Sequence, residues 1–378
     1  MLFFTNMIKY FITTRYLEVI ILRKTYLEVS RKAFLHNIGE IKRIVNNTEI
    51  MPVIKANAYG TYINKDLELI SQFDIVAVAI VDEAIQLRKL GYKKDIFVLN
   101  QPYQEEIEDI IKNNIIVGVS SISFLEKLNE FNDKIRVHVE LETGMGRTGV
   151  SLNELDDFTT VLCNSNVFVE GVYTHLSSAD IDYNFTDKQI GLFNDGVEKL
   201  KSNFSTIKHI HCAASNGILN FDLGICNLVR PGLIMYGYPS CKNIMDKIKL
   251  EPVLKFKSSI SFIKEVNEGD SISYCRSFVA NKKMIIATIG CGYADGINRL
   301  LSNKGYVSVN GKRCKILGNI CMDSFMIDVS CVECNIGDDV YIFDNDLVTV
   351  DEISSICETI NYEIISTISD RVPRVFVD

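Results

Sequence analysis

Met51–Gly60, MPVIKANAYG, joins an apolar strand-like run, Met51 to Ile54, to a lysine and then to a turn through Ala56, Asn57, Ala58 and Gly60. The pattern places one ammonium at the end of a buried strand. Burying that charge is costly unless it is paired or the amine becomes neutral. A neutral amine at a strand end is a nucleophile, whereas a lysine that merely snorkels to water gives the same tripeptide. The residues around Lys55 have to decide between the two.

Outward from this stretch, short β-rich runs alternate with longer amphipathic, helix-like segments. The runs are 51–54, 75–81, 96–99, 115–119, 135–141, 167–173, 207–211 and 227–230, and candidate helices such as 82–90, 104–113, 121–130 and 187–201 lie between them. This α/β alternation fits a (β/α)8 barrel of the TIM type, whose sites lie at the C-terminal strand ends. A doubly wound open sheet gives a similar string. The barrel predicts that reactive side chains follow the runs, and Lys55, Arg147, His175, Ser215 and Arg230 all do. Past about residue 256 the texture becomes alternating runs broken by turns, a mostly β C-terminal domain with one helix near 350–359. The expected organisation is an extension over 1–22, a barrel domain over 23–255 and the β domain over 256–378.

At 378 residues the chain is long enough for two cores, and 47% hydrophobic with 23% charged residues describes an ordinary globular protein. A net charge of −8 without a basic cluster argues against a nucleic-acid partner. The eleven cysteines are odd in number and scattered through apolar runs, which reads as reduced, mostly buried thiols in a cytoplasmic protein. Cys331 and Cys334 form the one C-x-x-C, and without a second pair or nearby histidines no metal site is expected. Residues 1–22 are apolar but are interrupted by Lys9, Arg15 and Glu18. They fall short of the roughly 20 apolar residues that cross a bilayer, so no membrane partner is expected.

Four further stretches carry chemistry. In ELETGMGRTG, 140–149, glycines before Arg147 let backbone approach a ligand that the guanidinium can bind. GVYTHLSSAD sets His175 at the end of an apolar run, and HCAASNG sets Ser215 at a helix start, where amides favour an anion. RPGLIMYG begins with Arg230, a permanent cation directly after an apolar run. In the β domain, GYADG carries Tyr293 between glycines and CMD carries Met322.

Together KANAYG, TGMGR, the His175 and Ser215 stretches, RPG, GYADG and CMD resemble the alanine racemase family, beginning near Lys24. The resemblance implies a pyridoxal 5'-phosphate enzyme that interconverts L- and D-alanine, supplying D-alanine for peptidoglycan. Lys55 would carry the cofactor, and Tyr59, Ser215, Gly232 and Leu233 would hold its phosphate. Arg147 would hold the phenolic oxygen and orient the substrate carboxylate, His175 would stack on the ring, and Arg230 would face the pyridine nitrogen. Inversion needs a proton donor on each face, and Lys55 serves only one. The resemblance names Tyr293 for the other, with Met322 meeting the substrate carboxylate, both reaching in from the partner of a homodimer with composite active sites.

The pattern also breaks. Glu140 stands where many of these enzymes have a modified lysine, and could restrain Arg147 as an anion already. Asp370 replaces a phosphate-contacting tyrosine in STISDRVPR, which leaves room for serine besides or instead of alanine. A decarboxylase of the same two-domain architecture, which would lack RPG, and a non-enzymatic cofactor carrier, which would lack the β domain, are the competing readings.

Overall fold

The computed structural model describes residues 24–239 and 247–378, so the 1–22 extension lies outside the described residues. The described residues form two compact units, Ala33–Glu251 and a second made of residues 24–32 together with Pro252–Asp378.

In the first unit, parallel strands run in the order Ile75–Val78, Asp95–Val98, Ile116–Val119, Arg136–Glu142, Phe168–Tyr173 and His209–His211. Ile75–Val78 and Ile116–Val119 are buried at every residue, as expected of parallel strands covered on both faces. The ends of this sheet meet. Asn227 N–H donates to Ile210 O at 3.1 Å, Leu228–Val229 pairs with Glu49–Ile50, and Ile54 N–H donates to Ala77 O at 2.8 Å. The result is the closed (β/α)8 barrel, rather than an open sheet. Helices Val81–Leu90, Ile107–Lys112, Ile122–Leu128 and Tyr183–Asn203 fall where the apolar spacing predicts them. Helices Arg31–Val45 and Leu155–Cys163 were not expected, although Ala33, Phe34, Ile38, Ile41 and Val45 mark a buried stripe of helical period on the first.

The second unit is an antiparallel β-barrel. Met284–Ile289, Phe325–Asp328, Lys312–Leu317, Tyr306–Val309, Asp339–Phe343 and Leu254–Val266 pair in that order, and Leu254–Val266 returns to pair with Met284–Ile289. That long strand serves both neighbours by bending where its register shifts between Ile260 and Phe262. One expectation is corrected here. Tyr26–Ser30, placed in the α/β domain by its position in the chain, pairs antiparallel with Leu254–Lys257 and parallel with Arg374–Val377, inside the β unit. Its alternating burial, one face in and one face out, suits an antiparallel sheet and not a strand covered on both faces. The ten described cysteines are all free; Cys212, Cys291, Cys314 and Cys357 are buried, and Cys163, Cys275 and Cys331 are exposed, more than the apolar runs imply. Among the described residues no cluster of metal-binding side chains occurs, and no helix is long and apolar enough to cross a membrane.

Candidate active site

Lys55 opens a turn of unusual hand. Ala56, Asn57, Ala58 and Tyr59 all have positive φ, between 52° and 57°. Left-handed backbone costs a residue with a Cβ about 1–2 kcal/mol, and here four such residues follow one another. The turn closes through Ala58 N–H to Ile54 O at 3.0 Å and Gly60 N–H to Ala56 O at 2.9 Å. Glu83 ties it down, accepting from Ala56 N–H at 2.5 Å and from Ala79 N–H at 2.8 Å. Among the described residues the Lys55 amine makes no hydrogen bond or ion pair. Burial and the nearby Arg147 and Arg230 charges lower its pKa, against the opposing pull of Glu83.

The same turn presents Tyr59 inward, its ring 5.0 Å from that of Tyr236. A Cβ on Gly232 would lie 2.5 Å from Tyr59 Oη, so only glycine lets this hydroxyl come so close to the backbone. Buried Ser215, the first residue of helix Ser215–Asn220, accepts from Gly232 N–H at 3.2 Å, and Leu233 begins the single helical turn Leu233–Tyr236. Two hydroxyls and adjacent backbone amides thus converge in one corner, a donor set suited to a phosphate dianion.

Arg230 is 2% exposed, and both of its terminal nitrogens are engaged. Its Nη1 donates to His211 Nδ1 and His211 O, both at 2.7 Å, and its Nη2 to Thr174 O at 2.7 Å and Cys212 O at 3.2 Å. His175 Nδ1 stands 3.4 Å from Nη2. Burial, then the Arg230, Arg147 and Lys55 charges, push the His175 pKa down to about 3, so this ring is neutral at ordinary pH. Arg147 is exposed, on the loop after Arg136–Glu142, where Glu142 accepts from the Gly144 and Gly146 amides. Glu140 is 3% exposed and its Oε2 has no partner. No hydrogen bond or ion pair joins it to Arg147, so the restraint expected from the sequence is at most a longer-range charge interaction. Burial raises its pKa, and the Thr148 and Tyr173 hydroxyls with the Arg147 and Arg230 charges oppose that rise.

In the β unit GYADG and CMD lie side by side. Tyr293 N–H donates to Cys321 O and Ala294 N–H to Met322 O, each at 3.0 Å, and a Cβ on Gly292 would sit 2.5 Å from Met322 O. Fully buried Asp295 accepts from Gly292 N–H at 2.9 Å and pairs with Arg371 Nε at 2.9 Å, while Arg371 Nη2 reaches Asp323 at 2.7 Å. The Tyr293 side chain is 43% exposed and Met322 52%. Asp370, beside this clamp, is exposed.

Lys55, Tyr59, His175, Ser215, Arg230 and Gly232 therefore belong to one set of strand ends, and Tyr293 and Met322 to another surface in the second unit. Sequence reasoning missed Glu83, His211 and Tyr173, whose ring stacks on that of His211 with centroids 5.3 Å apart. A glutamate in the first turn of a helix reads as a dipole partner, and only the fold shows it holding the lysine's turn. His211 closes an apolar run just as His175 does, a signal that was available.

The pattern described as "Alanine racemase, N-terminal domain" matches residues 29–240, and "Alanine racemase, C-terminal domain" matches 253–376. An alanine racemase of Carboxydothermus hydrogenoformans is 37% identical, covering 94% of this chain and 100% of its own. One from Desulforamulus reducens is 36% identical, covering 93% and 98%. Among solved structures, an alanine racemase of Clostridium difficile superposes with a TM-score of 0.89 at 33% identity, covering 94% of this chain and 96% of that one. That from Bacillus anthracis, solved with bound L-Ala-P, gives 0.87 at 34% identity, covering 94% and 95%. The two matches together span the α/β barrel and the β-barrel, and the chain belongs to the alanine racemase family of pyridoxal-phosphate-dependent isomerases.

Proposed function

We propose that the protein interconverts L- and D-alanine in the cytoplasm, as a homodimer in which each Lys55 works with the Tyr293 of the other copy. The observation that carries the reading is the unpaired Lys55 amine, lowered from the usual ammonium range, held rigidly beside a corner of phosphate donors. The residues fit pyridoxal phosphate. Tyr59 Oη and Ser215 Oγ close on Gly232, where any larger residue would fill the hollow, and Arg230 is a buried cation able to face the ring nitrogen. When bound, the coenzyme withdraws electrons from the substrate's α-carbon and so acidifies its α-hydrogen.

The chain's own residues do the rest. Lys55 would hold the coenzyme through its amine and would move a proton at one face of the substrate's α-carbon. Tyr293 Oη moves the other proton at the opposite face. Arg147 and the Met322 amide would orient the substrate carboxylate, and His175, a neutral imidazole, would lie against the ring. The exposure of Tyr293 supports its use by a second copy. Exposed Asp370, in place of a bulky ring, supports serine as a second substrate.

Each enantiomer of alanine and of serine, incubated with the enzyme in deuterated water, tests this. Inversion with α-deuteration of alanine is expected, and carbon dioxide release or the absence of exchange overturns the reading. Strict alanine preference removes serine. Mixing separately inactive Lys55→Ala and Tyr293→Phe proteins should restore roughly a quarter of wild-type activity, because half of randomly exchanged dimers carry one intact site. No recovery on subunit exchange would show that both bases come from one chain.

A further inference from the structure

Behind Arg230 a file of buried polar side chains runs along the barrel interior to the opposite strand ends. Arg230 Nη1 donates to His211 Nδ1 at 2.7 Å, and His211 Nε2 lies 2.9 Å from His138 Nδ1. His138 Nε2, which has no hydrogen-bond partner among the described residues, lies 3.7 Å from Glu170 Oε1. Arg136 grips Glu170 through Nε at 2.8 Å and Nη2 at 2.9 Å, and grips Asp95 at 2.6 and 2.5 Å. Both histidines are 0% exposed and Glu170 is 1% exposed.

The bond directions can be worked out from the end that cannot vary. Arginine has no acceptor, so His211 Nδ1 must present a lone pair. Burial, with Arg230, His138 and His209 adding to it, holds the His211 ring neutral, so its one proton is on Nε2. That proton has only His138 Nδ1 to meet, which must then accept. Burial also lowers the His138 pKa, against the pull of Glu170, and places its single proton on Nε2, facing the carboxylate. At Glu170 burial alone would raise the pKa, but the facing His138 and Arg136 override it and bring it to about 2. Other charged or titratable groups around the file include Lys208, His209, Cys212 and Tyr173, whose ring stacks on His211. Only an acceptor at the Glu170 position agrees with every direction; a donor there reverses both rings and sets His211 Nδ1–H against Arg230 Nη1–H.

We propose that Glu170 is a positioning residue: from the base of the barrel it fixes the tautomers of His138 and His211, and so the orientation of the Arg230 guanidinium at the coenzyme site. Its bearing on racemisation rests on the assignment of Arg230 to the coenzyme ring, whereas the tautomer claim does not. A purely structural salt bridge would be indifferent to which imidazole nitrogen carries the proton.

The chain has five histidines, few enough to assign by nitrogen-15 spectra of the coenzyme-loaded enzyme. The wild type at pH 7 should show Nε2–H tautomers at both His138 and His211, and an Nδ1–H or protonated ring at either overturns the proposal. In Glu170→Gln the neutral amide can turn either its donor or its acceptor toward His138, so the Nε2–H form should no longer be held at both rings while kcat falls roughly ten- to a hundredfold with KM little changed, the range for outer partners that fix a histidine. Glu170→Asp should keep the tautomers and most of kcat. Unchanged tautomers in Glu170→Gln, or altered tautomers with unchanged kcat, also overturn it. Should Glu170→Gln not fold, the wild-type spectra alone decide. Failure of the racemase reading itself would instead appear as a wild type that does not invert alanine.

Discussion

The two tyrosine-bearing turns of the site surfaces are built in opposite ways. KANAYG in the α/β barrel is a left-handed turn of residues that do not favour that hand, buried and tied to Glu83. GYADG in the β-barrel places its positive φ, 100°, at Gly296, where it costs little, and leaves Tyr293 exposed on a charged clamp of Asp295, Arg371 and Asp323. One surface stores strain to fix an amine, and the other presents a phenol on a relaxed, rigid mount. Strain of this kind persists only where surrounding bonds over-determine it, which makes the lysine turn the less replaceable of the two.

The sharpest way to break this contrast is at the two bases. Lys55→Ala should remove both the coenzyme's visible absorbance and activity, whereas Tyr293→Phe should keep the absorbance and lose about 10²–10⁴ in kcat. A Tyr293→Phe protein with near wild-type turnover would end the comparison. Next in size, Gly232→Ala should weaken coenzyme binding by about tenfold or more, roughly 1.4 kcal/mol, because its methyl meets Tyr59 Oη. Tyr59→Phe in the same protein should recover part of that loss, measured by coenzyme titration.

Acid should separate the two units. All five histidines lie in the α/β unit, and burial holds His175 near 3 and His209 near 4, below the ordinary 6.5. The unfolded chain therefore binds protons that the folded one refuses, so stability is full above about pH 6.5 and falls as pH drops toward 3–4. Glu170 adds a further loss between its ordinary 4.5 and about 2. Hydrogen exchange at pH 5 against pH 7 should show barrel amides losing protection before those of the β unit, and equal loss would contradict it. The smallest effect sharpens the strain argument: Ala56→Gly, at an exposed position with φ of 52°, should stabilise by up to about 1 kcal/mol while lowering kcat through a looser Lys55.

Much of this was legible in the sequence because it is written locally. Eight apolar runs, and the lysine, histidine, serine and arginine that follow them, need only neighbours a few residues away to be read. The left-handed turn was not legible, since alanine and tyrosine carry no signal for positive φ. Nor was the polar file, whose members His138, Glu170 and His211 are brought together only by strand register. Tyr26–Ser30 was misplaced because chain order suggested the barrel, while its period-two burial pointed to the other sheet.

That strand has a consequence for synthesis. Tyr26–Ser30 is synthesised before the α/β unit, yet its partners, Leu254–Lys257 and Arg374–Val377, are both made after that unit. During translation its unpaired edge is a liability for aggregation, and this part of the β unit cannot close until Arg374–Val377 has been made. A nascent chain halted after Glu251 should therefore carry a protease-resistant α/β core while Tyr26–Ser30 stays open to cleavage.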